Sequence, residues 1–71
     1  MPLVTIKMAA GRSREQKQAL TARITEAFRD VLDTPPEFVW TIYQDVDAEE
    51  WFVGPDSMAE RKRKREAAAK G

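Results

Sequence analysis

The chain has no cysteine and no histidine among its 71 residues. The first absence excludes a disulfide framework and any thiolate site. The second removes the usual nitrogen ligands of zinc, so no resident metal is expected. No apolar run approaches the roughly 20 residues that span a bilayer. The opening MPLVTIKM also lacks a basic region followed by a long apolar stretch, so it does not read as a signal peptide. These absences predict a soluble cytoplasmic protein with no membrane partner.

They also bear on stability. A chain of this length buries only about 60% of the surface its unfolded form exposes. Small domains compensate with disulfides, a structural metal or association with copies of themselves. With the first two routes closed, a homo-oligomer is expected.

The formal net charge is zero but unevenly spread. Residues 1–57 hold six Lys/Arg against ten Asp/Glu, a net of −4, and residues 58–71 hold six against two, a net of +4. A basic run can signal nucleic acid. Here no aromatic residue is interleaved with the cations, so stacking on bases has no support and no nucleic-acid partner is expected. The run reads instead as a solvated helix or tail lying against an acidic body.

Leu3 to Met8 alternates as a strand, with Val4, Ile6 and Met8 on one face and Leu3, Thr5 and Lys7 on the other. A short connection follows, in which Gly11 can take a positive φ. Ser13 and Gln16 form an S-x-x-Q capping box that starts a helix. Leu20, Ile24, Ala27, Phe28 and Val31 give that helix one apolar stripe. Asp33-Thr34-Pro35-Pro36 stops it, because proline cannot continue the hydrogen-bond ladder. Val39 to Val46, rich in β-branched and aromatic residues, is a second strand. Asp47 to Glu50 is a turn, Trp51-Phe52-Val53 a brief third strand, and Ser57 to Lys70 a helix-prone segment with almost no apolar stripe.

The fold class is therefore α/β (α+β): one βαβ unit with parallel strands and a right-handed crossover, a short third strand and a C-terminal helical tail. Residues 1–56 are expected to form the domain and residues 57–71 a charged C-terminal helix or tail, of which residues 58–71 are dispensable for folding. The helix covers one face of the two-stranded sheet and leaves the other bare. An isolated pair of strands is unstable in water, so another chain must cover or extend it.

The chemically informative residue is Pro2. Methionine followed by a small residue is a good substrate for removal of the initiator, and removal here exposes a secondary amine. With Met1 retained, the same nitrogen is a tertiary amide and no base. Burial near a cation disfavours the charged amine and lowers its pKa towards neutrality. That makes it an unprotonated base suited to proton transfer next to a carbonyl.

Pro2, the short strand, Gly11-Arg12-Ser13, Glu15-Gln16-Lys17, the helix and the Trp51…Gly54 turn together resemble the 4-oxalocrotonate tautomerase family. The similarity covers about residues 2–55, and its most specific part is G-R-S-x-E-Q-K at a fixed distance from an N-terminal proline. The resemblance implies a cofactor-independent isomerase in which the proline amine moves a proton between positions of an enol or keto acid. It also implies a hexamer built as a trimer of dimers.

Pro2 matches the family's catalytic base, and Arg12 its carboxylate-binding arginine, which often reaches into a neighbouring subunit's site. A guanidinium suits that role because its planar donors can pair both carboxylate oxygens. Trp51 matches an aromatic position that lines the pocket. Trp40 stands where well-known members carry a second arginine, and an indole donates one hydrogen bond and carries no charge. The substrate-binding set is thus Arg12, Trp40 and Trp51, and a monocarboxylate or more apolar enol acid fits better than a dicarboxylate. Relatives that dehalogenate acrylic acids use a glutamate near position 53, which is Val53 here, with Glu49 and Glu50 close by; dehalogenation is disfavoured. The alternatives are a non-catalytic oligomeric scaffold and a related base-assisted decarboxylase.

Overall fold

The computed structural model describes residues 1–70. Strand β1 (Leu3–Ala9) leads through Ala10–Ser13 into helix α1 (Arg14–Leu32). A single 3-10 turn (Pro36–Phe38) then precedes strand β2 (Trp40–Val46). The short strands β3 (Phe52–Val53) and β4 (Asp56–Ser57) and the helix α2 (Met58–Lys70) follow.

The βαβ unit is present as expected. β1 and β2 pair in parallel from Leu3↔Trp40 to Ala9↔Val46. The ladder is continued at its ends by Trp40 N–H donating to the Pro2 carbonyl (3.0 Å) and Ala10 N–H to the Val46 carbonyl (2.9 Å). The capping box forms: Gln16 N–H donates to Ser13 Oγ (3.1 Å) and Ser13 N–H to Gln16 Oε1 (2.9 Å). Gly11 sits at φ +126°, a conformation that side chains rarely adopt. At the other end Asp33, in the left-handed region at φ 54°, closes α1 by donating its N–H to the Arg29 carbonyl.

Three local features differ from the expectation. The Pro-Pro stretch does more than stop α1: it starts the 3-10 turn, since proline's fixed φ suits a first helical position, and β2 therefore begins at Trp40 rather than Val39. Trp51 lies just outside β3, and β3 has an antiparallel partner in β4, with Phe52↔Ser57 and Val53↔Asp56 in register. Gly54, at φ +67°, opens the two-residue loop between them.

The third difference concerns α1. Its five-residue apolar stripe divides in two. Ile24 and Phe28 are half-buried over the sheet beside Lys17 and Thr21, whereas Leu20 is 40% and Val31 79% exposed. The polar residues take inward places because β2 offers them partners. The Thr21 and Tyr43 hydroxyls lie 2.7 Å apart and both reach the Lys17 carbonyl, at 2.7 and 3.1 Å. Lys17 Nζ meets Asp45 Oδ2 at 2.7 Å.

The described residues close no core of their own. Among the described residues no apolar side chain is fully buried, and Ser57, at 1% exposure, is the only buried residue of any kind. The sheet face turned away from α1 carries Leu3, Trp40 and Ile42 at 56, 53 and 48% exposure. The radius of gyration is 16.7 Å, against about 11 Å for a compact domain of this length. With these dimensions the apolar face of the sheet has no covering element among the described residues.

Candidate active site

The structure sorts the four sequence-derived residues into two pairs. Pro2 and Trp40 share one end of the sheet, joined by the backbone hydrogen bond that opens the ladder. Pro2 is half-buried while Met1 before it is 77% exposed, so the Met1–Pro2 bond lies at the surface. Leu3, next in sequence, pairs with Trp40, and both lie with Ile42 on the sheet face turned away from α1, whereas alternation puts Pro2 on the side of Val4 and Ile6.

Arg12 lies past the opposite end of β1, and a seven-residue strand spans about 20 Å. Trp51 follows the corresponding end of β2, beyond the Asp47–Glu50 turn. One copy of the chain therefore does not bring Pro2 and Arg12 within reach of one small substrate.

At the Arg12 end, Met8, Arg12, Gln16, Lys17 and Leu20 line a cavity of about 240 Å³. Arg12 is exposed and makes no ion pair among the described residues. Lys17, in contrast, is neutralised by Asp45. Trp51 is half-buried, and its carbonyl accepts the Met58 N–H at 2.7 Å, so the start of α2 holds this residue's backbone.

Sequence reasoning passed over two devices. The Lys17–Asp45 pair joins residues 28 apart, which spacing alone does not reveal. The second capping box, Ser57 with Glu60, was legible as S-x-x-E: Glu60 N–H donates to Ser57 Oγ (3.1 Å), and Ser57 Oγ–H to Glu60 Oε1 (3.2 Å). It fixes the start of α2 directly after the hairpin. Among the described residues there is no cluster of acidic groups able to hold a metal ion, and no helix long and apolar enough to cross a membrane.

The profile of the tautomerase enzyme family matches residues 2–61. Among curated relatives, a probable tautomerase from Halalkalibacterium halodurans is 33% identical over 61 residues, covering 86% of this chain and all of its own. One from Ralstonia nicotianae is 39% identical over 61 residues, covering 83% of this chain and 87% of its own. Of solved structures, TomN, a 4-oxalocrotonate tautomerase homologue in the tomaymycin biosynthetic pathway, superposes with a TM-score of 0.82 at 39% identity. That match covers 87% of this chain and 95% of TomN. A heterohexamer 4-oxalocrotonate tautomerase from Chloroflexus aurantiacus matches at 0.76 and 42% identity, over 84% of this chain and 97% of its own. The similarity thus runs along most of the length of each relative, and the chain belongs to the tautomerase enzyme family as a 4-oxalocrotonate tautomerase homologue.

Proposed function

We propose that the chain, freed of Met1, is a cofactor-independent tautomerase of small enol or keto acids with Pro2 as general base. The observation that carries this reading is the placement of Pro2, half-buried at the open end of β1 with its carbonyl bonded to the Trp40 N–H, behind an exposed methionine. The amine takes the enol O–H proton, the enol electron pair forms the carbonyl, and the proline ammonium returns the proton to the neighbouring carbon. The base is regenerated and nothing else is consumed.

The separation of Pro2 from Arg12 supports a site shared between copies, with Pro2 and Trp40 from one protomer and Arg12 from another. Assembly is also what the open sheet face calls for, and a hexamer is the arrangement named for the Chloroflexus relative. Arg12 pairs the substrate carboxylate bidentately. Trp40 and Trp51 give the remainder an apolar enclosure, which favours an α-keto monocarboxylate with an apolar substituent, such as phenylpyruvate.

The test compares processed protein with protein blocked at Pro2 by retained Met1, its mass confirmed on the intact chain, in ketonisation of the phenylpyruvate enol. Processed protein is expected to work, at a rate that rises with pH as the amine loses its proton, and blocked protein to be inactive. Arg12→Ala is expected to raise KM by about tenfold or more, as for a lost charge-assisted pair. Equal rates for the blocked and processed forms would refute the proline mechanism and favour a non-catalytic oligomeric scaffold, with the basic C-terminal segment as its contact surface.

A further inference from the structure

The polar side chains that line the cavity beside Arg12, those of Arg12, Gln16 and Lys17, are donors. Gln16 Oε1 is occupied by the Ser13 N–H at 2.9 Å, which leaves its amide hydrogens to donate. Arg12 and Lys17 supply the two cations, and no carboxylate lines the space. By residue type alone this cavity could take two negative charges.

It does not keep two free cations. Lys17 Nζ is held by Asp45 Oδ2 at 2.7 Å, the lysine side chain 22% and the aspartate 42% exposed. Asp45 is the cross-strand mate of Met8, another lining residue, so the pair sits against the cavity wall. The Lys17 carbonyl is gripped by the Thr21 and Tyr43 hydroxyls, and the ammonium lies 6.0 Å from the centre of the Tyr43 ring. Backbone and side chain are both drawn to β2, and one uncompensated cation, Arg12, faces the cavity.

We infer that Asp45 is a positioning residue that sets substrate charge: by withholding Lys17 it limits the anion pocket to one carboxylate. The inference rests on the reading of Arg12 as the carboxylate anchor. Releasing Lys17 would place a second free cation at the cavity, where a second carboxylate can use it and a lone one gains little.

The experiment uses processed, assembled protein and two probes: the enol of phenylpyruvate, with one carboxylate, and the enol of oxaloacetate, with two. Asp45→Asn is expected to shift the kcat/KM ratio towards oxaloacetate by about tenfold, equivalent to about 1.4 kcal/mol. The change should appear in KM, with kcat nearly constant. Asp45→Glu, which can still pair with Lys17, keeps the original ratio. The double variant Lys17→Met/Asp45→Asn returns the ratio to its starting value. Lys17→Met alone leaves the Asp45 charge uncompensated and moves the ratio the other way, which keeps the inference testable if Asp45→Asn does not assemble.

An unchanged ratio in Asp45→Asn would overturn the inference, as would a double variant that keeps the raised ratio. Arg12→Ala separates this failure from that of the underlying reading. If it raises KM for both probes while Asp45→Asn alters nothing, only the role of Asp45 is lost. If it raises neither, the carboxylate anchor lies elsewhere and the inference falls with it.

Discussion

The βαβ body and the segment from Asp47 onward use the same device to start a helix and then diverge. Ser13 with Gln16 caps α1, and Ser57 with Glu60 caps α2. Beyond the cap, α1 lies along a sheet and still leaves Leu20, Val31 and Leu32 exposed, while the sheet exposes Leu3, Trp40 and Ile42 on its far side. α2 offers water a run of cations instead. It is tied to the preceding turn by two backbone bonds, Met58 N–H to Trp51 and Ala59 N–H to Ala48, and by the Arg63–Glu49 and Lys64–Asp56 ion pairs. Apolar surface left in water is unfavourable by about 25 cal/mol per Å², whereas exposed charge is already solvated. The body would therefore gain from being covered, and the C-terminal helix would not.

The largest effect is expected from making the body's open face as content in water as α2. Ile42→Asp places a carboxylate at the centre of that face. In a lone protomer the substitution costs little, because Ile42 is 48% exposed. In an assembly that covers the face it buries an unpaired charge, at a cost of several kcal/mol. The expected result is complete loss of the oligomer, and of cooperative melting with it, read by light scattering and circular dichroism. A variant of unchanged size and melting temperature would mean that the face meets solvent in the native protein.

How much of this was legible in the sequence follows from the range of the forces involved. The parallel unit, the limits of α1 and the positive φ at Gly11 are local: a cap, a breaker and a period decide them. The inward placement of Lys17 and Thr21 is not local, because it depends on Tyr43 and Asp45, more than 20 residues away, and apolar periodicity counts only the apolar side chains. β4 is Asp-Ser, two residues with no strand propensity, made a strand by the Gly54–Pro55 turn. Of the candidate site, the nearness of Pro2 to Trp40 comes from strand register. The separation of Arg12 from Pro2 reflects the length of β1, and no spacing in one chain states which residues meet across copies.

Removal of α2 should have a smaller effect. Truncation after Ser57 takes away one large apolar side chain, Met58, and a set of solvated charges. The body is expected to assemble and to melt within a few degrees of the full chain. Activity should suffer more than stability, because the Trp51 carbonyl loses the Met58 N–H that holds it at 2.7 Å. The expected signature is a severalfold rise in KM with the oligomer intact. Loss of the oligomer would instead show that α2 docks across an interface and that the two regions are not independent.

The smallest expected effect lies within the C-terminal segment and depends on pH. The hydrogen bond to Asp56, reinforced by its charge, raises the Lys64 pKa above the ordinary 10.5, and Glu49 likewise raises that of Arg63. For a base whose folded pKa exceeds its unfolded one, the stabilisation is complete below the unfolded value. It is lost as pH climbs through the folded value. The Lys64 contribution should therefore persist across the neutral range and disappear only above pH 10.5, while Arg63 stays charged throughout. Both groups are exposed, so solvent and salt screen them and the gain is slight. The informative quantity is the difference between the full chain and Lys64→Gln in helical circular dichroism. That difference should be small near neutrality, vanish above the lysine range, and shrink in 1 M salt. If the two proteins match at every pH and salt concentration, the Lys64–Asp56 pair contributes nothing measurable, and the backbone bonds and the Ser57 cap hold α2 with Arg63–Glu49 alone.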